Sequence, residues 1–364
     1  MRLHGFPSLG LNILRSNFSR LPHPYKLTFA LTYWCNYKCK TCNIWERKPR
    51  NELSLDEIRQ FFNTSSRFNW IDFTGGEVWL RKDFTDIVSC ALESCPQLAL
   101  IHFPTNGYLT DKIVAGVKQI VSLKPSKFIV TVSLDGDERL NDTIRGIKGG
   151  WKRQIETYKK LHAINGVEVV LGMTISDLNA GQYQRTFEAV KDECPWLTPK
   201  DMHMNVAHQS SHYYGNGPDD NFSTDKETIL SELRNYRKNL GIPTGPVSLL
   251  ESRYLGHAET YLKTGVTPMR CHSLRSSCFL DPWGNVYPCG MYDAKIANIR
   301  DHDYSLAKIW QLDETRSKQK EIWNLQCPQC WTPCEAYQSI LGNALGNVRT
   351  TKPGAVLQTV ESQS

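Results

Sequence analysis

Three cysteines fall within eight positions in the stretch TYWCNYKCKTC: Cys35, Cys39 and Cys42, with no further cysteine before Cys90. Thiolates are soft ligands that select zinc or iron-sulfur clusters, and a tight loop can wrap a compact polyhedron. A closed structural zinc site needs a fourth Cys or His, and none lies between Cys42 and Cys90. The spacing therefore suits three irons of a cubic [4Fe-4S] cluster whose fourth iron is open to another ligand. Zinc, or three unconnected small buried residues, are the alternatives. A second group lies far downstream, with Cys271, Cys278 and Cys289 in RCHSLRSSCFLDPWGNVYPCG and Cys327, Cys330 and Cys334 in LQCPQCWTPCEAY. Paired C-x2-C elements of this kind would also serve a zinc ribbon. Cys90, Cys95 and Cys194 have no partner spacing and read as buried small residues.

Such sites need rigid elements to hold them. Apolar β-rich runs at 26–32, 69–74, 98–104, 127–134, 167–175 and 201–207 alternate with helical patterns near 54–63, 83–94, 111–122, 150–163 and 181–192. That alternation predicts βα units around a parallel sheet. Ser54, with Glu57 three residues on, predicts a capping box at the start of the first of these helices. The polar and glycine-containing motifs fall at the C-terminal ends of the strands, where βα barrels place their chemistry. The expected fold class is therefore α/β, a partial (β/α)6 barrel, with a small C-terminal cysteine-rich domain. The expected organisation is an N-terminal extension (1–25), the partial barrel (26–224), a helical connector (225–264), the cysteine-rich domain (265–345) and a mobile tail (346–364). Within it, the polar loop 208–224 reads as a boundary or lid, and FLDPWGNVYPC as a β-hairpin.

The triplet C-x3-C-x2-C directly after the first strand resembles that of the radical S-adenosylmethionine (radical SAM) enzymes. The resemblance implies that the open iron is held by the amino and carboxylate groups of S-adenosylmethionine, and that the other strand-end motifs bind this cosubstrate. Gly75, Gly76 and Glu77 resemble the family's GGE motif, with Glu77 accepting from the methionine ammonium. Asn106, beside Thr105 in TNG, would add polar contacts. Ser133 and Asp135 in VSLDG lie on the same side of an extended chain and would suit the ribose hydroxyls or the methionine end. Arg145 in TIRG would clamp the methionine carboxylate through its planar fork. Met173 resembles the apolar shelf under adenine. The position before the third cysteine, often aromatic in the family, is Thr41 here, with Tyr33, Trp34 and Tyr37 nearby to compensate. This resemblance covers residues 26–208. Downstream, Cys271, Gly284 and Cys289 resemble the opening of a SPASM domain. No cysteine follows Cys334, so the shorter, single-cluster twitch layout is the nearer match. It implies one auxiliary [4Fe-4S] cluster on Cys271, Cys289, Cys327 and Cys330, with Cys334 and Cys278 as further candidates. The implied chemistry is reductive cleavage of S-adenosylmethionine to a 5'-deoxyadenosyl radical, the cofactor carrying the difficult step.

Composition removes several other classes. The chain has 364 residues and a net charge of +6, without basic blocks interleaved with aromatics, so no nucleic-acid partner is expected. No run of 18 or more apolar residues occurs, which excludes a hydrophobic transmembrane helix. Arg15 and Arg20 interrupt the only apolar run near the start and no small-residue cleavage site follows, so no signal peptide is read there. The expectation is a soluble, cytoplasmic protein with no membrane partner. Lys26, Lys38, Lys40, Arg47, Lys48 and Arg50 face the single acid Glu46 between residues 26 and 50, a basic rim that would steer an acidic flavodoxin or ferredoxin as reductant. His203 and His208 would face opposite sides of a strand, which argues against a metal site there, and His208, His212 and Tyr213 are expected to line the substrate end of the barrel or to be merely polar surface. The 25 residues ahead of the first strand are too few for a fused peptide-recognition domain. A small-molecule substrate undergoing dehydrogenation, epimerisation or cyclisation is therefore the main expectation. Maturation of a ribosomally made peptide is the alternative. A non-enzymatic iron-sulfur or zinc scaffold is the third reading, disfavoured by the intact GGE motif, Asp135 and Arg145.

Overall fold

In the computed structural model, which describes residues 5–217 and 222–345, the alternating patterns become βα units whose strands lie within two residues of the expected limits. The tail expected to be mobile, 346–364, lies outside the described residues. After helix α1 (Gly5–Ser16) come β1 (Lys26–Thr32), α2 (Leu55–Thr64), β2 (Trp70–Gly75), α3 (Phe84–Ser94), β3 (Leu100–Thr105), α4 (Thr110–Ser122) and β4 (Lys127–Ser133). Next are α5 (Glu138–Arg145), α6 (Gly150–His162), β5 (Glu168–Ile175), α7 (Tyr183–Glu193) and β6 (Met202–Val206). The predicted capping box of α2 is present: Ser54 Oγ accepts from the Glu57 amide at 3.3 Å and the Glu57 carboxylate accepts from the Ser54 amide at 2.9 Å.

The helical connector consists of two helices, α8 (Lys226–Leu240) and α9 (Pro246–Thr264). Gly241, at φ +70°, ends the first, and Pro243 cannot continue it. The cysteine-rich segment then forms β7 (Ser277–Leu280), β8 (Asn285–Tyr287), β9 (Ala297–Asn298), α10 (Leu306–Gln311), α11 (Asp313–Trp323) and α12 (Pro333–Gly342). The expected hairpin is β7–β8, but it is not a sheet of its own. Strand order is β6-β5-β4-β3-β2-β1-β7-β8-β9, with β7 parallel to β1 through Lys26↔Ser277 to Phe29↔Leu280. The six barrel strands are parallel and the sheet is unclosed.

Alternation along each strand separates two faces. On β4, Phe128, Val130 and Val132 are buried, in one core with Phe73, Phe84, Phe103 and Trp79, whereas Ile129, Thr131 and Ser133 are half-buried on the opposite, concave face. Each such buried aromatic or aliphatic side chain stabilises the fold by roughly 1.5–3 kcal/mol. The concave face is polar. Lys26 Nζ lies 3.0 Å from Asp72 Oδ2, Asp72 Oδ1 3.2 Å from His102 Nδ1, and His102 Nε2 2.9 Å from Thr131 Oγ1, a belt across four strands. Lys26 is thus fully buried inside the barrel and takes no part in the basic rim expected of it, because the first residue of β1 points inward. Lys38, Lys40, Lys48 and Arg50 are exposed.

Candidate functional site

The loop leaving the C-terminal end of β1 carries Cys35, Cys39 and Cys42, and glycines let neighbouring chain close on it. The Gly76 amide donates to Thr32 O at 2.7 Å and the Glu77 amide to Trp34 O at 2.9 Å. A Cβ on Gly76 would stand 2.1 Å from Trp34 O, and one on Gly75, whose φ is +124°, 2.1 Å from Thr32 O. Gly146, in the left-handed conformation that ends α5, would place a Cβ 2.3 Å from Lys38 O. Both glycine motifs therefore admit the backbone of the cysteine loop, a use that spacing alone does not reveal.

The three thiols are electrostatic neighbours, Cys42 feeling Cys39 and Cys35, and Cys35 feeling Cys39. Burial pushes Cys35 and Cys42 up to about 12 and raises Cys39 against the lowering charge of Arg145. Thiols this hard to ionise become thiolates only when a metal replaces their protons. Beyond them, Glu77 is buried, accepting from Thr105 Oγ1 at 2.9 Å, the Asn106 amide at 2.7 Å and the Trp79 amide at 3.3 Å. Burial pushes its carboxyl up to about 7, opposed by those bonds and by Arg145. Asn106 donates to Asn36 Oδ1 at 2.7 Å, tying the β3 end to the cysteine loop.

Asp135 and Arg145 form one unit. Asp135 Oδ2 lies 2.9 Å from Arg145 Nη2, while Oδ1 accepts from the Thr174 amide at 2.9 Å, so this carboxylate is engaged within the protein and aims the guanidinium. Arg145 feels Cys39, Tyr37 and Cys35, and its buried Nε has no partner among the described residues. Ser133 sits half-buried on the concave face two residues earlier. Met173 is fully buried with Leu171 and Ile175 in the hydrophobic core, because Gly172 and Thr174 occupy the concave positions of β5. Its side chain is on the face opposite the one an adenine shelf requires.

In the second group, Cys271 feels Cys327 and Cys330, Cys289 feels Cys330 and Cys271, and Cys330 feels Cys327. Burial raises all four thiols. Cys334 stands apart, among Lys26, Asp72 and Glu335, and Cys278 feels only Glu335. Among the described residues, no three His, Cys, Asp or Glu side chains converge tightly enough to hold a single metal ion.

Sequence reasoning missed the bridge between the two groups. In the segment after β6, Tyr214 O accepts from the Asn43 amide at 2.8 Å, and Asn216 Nδ2 donates to Thr41 O at 3.1 Å. On its other side Ser210 Oγ donates to Gly290 O at 2.5 Å, and His208 Nε2 accepts from the Trp331 amide at 3.1 Å. With Nδ1 bonded to Val206 O at 2.7 Å, His208 uses both ring nitrogens and is pulled down to about 4 by burial. His212 is buried against Phe279 and stacked on Tyr287, and Tyr213 shares a 2.6 Å hydrogen bond with Thr74. The two histidines are therefore linkers rather than the substrate-end lining expected of them, and Tyr213 alone reaches the concave face. The polar, aromatic composition of 208–216 was the available signal.

Two family models match this chain: the Radical SAM superfamily over residues 29–190, and SPASM, an iron-sulfur cluster-binding domain, over residues 271–331. The chain carries a radical SAM domain and a SPASM domain. Its radical SAM domain holds the first cysteine group and every strand-end motif, and its SPASM domain holds Cys271, Cys278, Cys289, Cys327 and Cys330 but not Cys334. The chain is 32% identical over 203 residues to GTP 3',8-cyclase of Mannheimia succiniciproducens, covering 51% of this chain and 55% of the cyclase. The mycofactocin maturase MftC of Mycolicibacterium smegmatis is 24% identical over 321 residues, covering 81% of this chain and 72% of the maturase. The fold is like that of Streptococcus suis SuiB bound to the precursor peptide SuiA, with a TM-score of 0.58 and 16% identity over 84% of this chain and 68% of SuiB. The chain spans about half the length of the cyclases it matches.

The radical SAM domain implies a [4Fe-4S] cluster with S-adenosylmethionine, and the SPASM domain implies auxiliary iron-sulfur. The residues fit. Buried thiols await a positive charge, and the unpartnered Arg145 Nε beside Cys35 and Cys39 is a donor suited to a carboxylate.

Proposed function

We propose that this protein is an enzyme that cleaves S-adenosylmethionine reductively and abstracts hydrogen from a small molecule held on the concave face of the sheet. When bound, the cluster and cosubstrate supply the 5'-deoxyadenosyl radical. The chain's own residues do the rest. Cys35, Cys39 and Cys42 hold the cluster, Arg145, aimed by Asp135, orients the methionine carboxylate, and Glu77, Asn106 and Ser133 offer polar contacts. Thr131, Thr174, His203 and Asn205 give the concave face hydrogen-bonding groups for a polar substrate. Helices α9 and α12 close the N-terminal end of that face, with Tyr337 donating to Glu251 at 2.6 Å and Trp70, the first residue of β2, stacked on Tyr337. The observation that carries the reading is the unpartnered Arg145 donor beside the buried thiols.

Anaerobic reconstitution with dithionite and S-adenosylmethionine is expected to yield 5'-deoxyadenosine and methionine in equal amounts. Intact cosubstrate after prolonged incubation of iron-loaded protein would overturn the proposal. A peptide substrate is the second reading, supported by the match to MftC, which covers 81% of this chain. Isotope transfer from a labelled precursor peptide into 5'-deoxyadenosine would select it, and transfer from a metabolite alone would select the first.

The reductant in this reading is a flavodoxin or ferredoxin of the cytoplasm. Lys38, Lys40, Lys48 and Arg50 are exposed around the cysteine loop and would attract an acidic surface. Reduction by flavodoxin should slow about tenfold or more as ionic strength rises from low to physiological, where the screening length falls to about 8 Å. A rate insensitive to salt would remove the rim from the proposal.

A further inference from the structure

The polar side of helix α1 faces the protein and its apolar side faces out, the reverse of an ordinary surface helix. Inward, Ser8 Oγ donates to Gln97 Oε1 at 2.7 Å, Asn12 Nδ2 to Asn69 Oδ1 at 2.7 Å, and Asn69 Nδ2 to Ser8 Oγ at 3.1 Å. Gly5 lets the helix start close against the chain entering β3, where a Cβ would meet Gln97 O at 2.8 Å. Outward, Phe6, Leu11 and Leu14 are 40–46% exposed and Phe18, just past the helix, is 72% exposed. Leu345, 63% exposed, adjoins them, its amide donating to Asn17 Oδ1 at 2.8 Å. These five are half of the ten large hydrophobic side chains exposed among the described residues. Apolar surface concentrated in this way marks a binding face.

The charges on the patch's own N-terminal segment have one sign. No Asp or Glu occurs in the first 45 residues, and Arg15 and Arg20, both exposed, flank the apolar stripe. Arg20 donates to Trp310 O at 2.8 Å and has no carboxylate partner among the described residues; Arg316 and Arg275 lie within its electrostatic reach. We propose that the outward face of α1, with Phe18, Leu345, Arg15 and Arg20, docks on an anionic bilayer surface, apolar side chains among the acyl chains and arginines at the headgroups. A second copy of the chain fits poorly, since a two-fold contact would press the same cationic rim against itself. Peripheral docking of this kind is distinct from spanning, for which no described helix is long and apolar enough. It runs against the expectation of no membrane partner drawn from sequence.

The test is flotation of the reconstituted full-length protein with vesicles of phosphatidylcholine alone or mixed with phosphatidylglycerol. Strong association with the anionic vesicles, weakened by salt, is expected. The L11E/L14E variant should lose about tenfold or more in partitioning, and R15A/R20A about tenfold on anionic vesicles with little change on neutral ones. Both variants change only exposed positions, so iron content and 5'-deoxyadenosine formation should match wild type, which separates lost docking from lost folding and from failure of the radical reading. No flotation with anionic vesicles, or undiminished flotation of L11E/L14E, would overturn the proposal. So would lipid-free self-association that L11E/L14E abolishes, which would assign the face to a second copy.

Discussion

Replacing Cys35, Cys39 and Cys42 together by alanine should abolish 5'-deoxyadenosine formation and lower the iron content from about eight to about four per chain. In the proposed assignment, an iron left open to the cosubstrate would be held only by the three-cysteine loop. Cys271, Cys289, Cys327 and Cys330, linked electrostatically through Cys271 and Cys330, would hold the second cluster without it. Cys39→Ala alone should be as inactive as the triple variant. The reciprocal pair, Cys327→Ala with Cys330→Ala, should lose the other four or so irons, and part of the C-terminal fold with them, because metal binding and folding are coupled in small metal-held segments. Iron and sulfide assays with anaerobic product analysis decide the matter. Zinc in place of the residual iron would turn the second site into a zinc ribbon, and wild-type turnover by Cys39→Ala would overturn the first assignment. Cys334→Ala is expected to leave iron content unchanged.

The second large effect is on stability. Among the described residues, Asp72→Ala leaves the fully buried Lys26 ammonium with the Cys334 carbonyl, Gln338 Oε1 at 3.4 Å and the Trp70 ring, 4.5 Å away, as partners. Breaking a buried pair by removing one partner costs about 3–5 kcal/mol, whereas replacing both by apolar residues of similar volume is often close to neutral. The unfolding midpoint in urea should therefore drop sharply for Asp72→Ala and recover in Lys26→Met/Asp72→Leu. A single variant as stable as wild type would show that the pair contributes nothing. The pH dependence follows from both partners. Burial opposes ionisation of Asp72, but the charge of Lys26, with hydrogen bonds from His102 and Trp70, holds its carboxyl well below the usual range. Its contribution is present above about pH 4 and is lost as pH falls through the depressed value. Burial likewise opposes the Lys26 charge, but Asp72, Cys334 and Glu335 raise its pKa, so its contribution is present below about pH 10 and is lost above the raised value. The pair stabilises the fold across the neutral range and fails at both extremes.

The barrel was legible because its signals are local. A strand of alternating or continuous apolar residues followed by an amphipathic helix reads the same in sequence as in space, and strand-end motifs inherit their position from it. What escaped depends on partners distant in the chain. Lys26 looks like surface charge until β2 supplies Asp72, and Met173 looks like a ligand contact until alternation is anchored by Gly172 and Thr174. Helix α1 was missed because its apolar residues do not face the core, and α5 because ERLNDTIR is almost wholly polar and is held instead by its Asp137 cap and by the Asp135–Arg145 pair. The union of β7 with β1 joins residues about 250 positions apart, beyond the reach of any local pattern.

That union also governs what motion can do in this molecule. β1 ends at the loop of the first cysteine group, and the hairpin that begins with β7 ends at Cys289 of the second, so both groups are marks on one ruler ruled by main-chain hydrogen bonds. A hinge between separately folded units could vary the distance between the two groups. Here continuous main-chain pairing sets that distance when the chain folds.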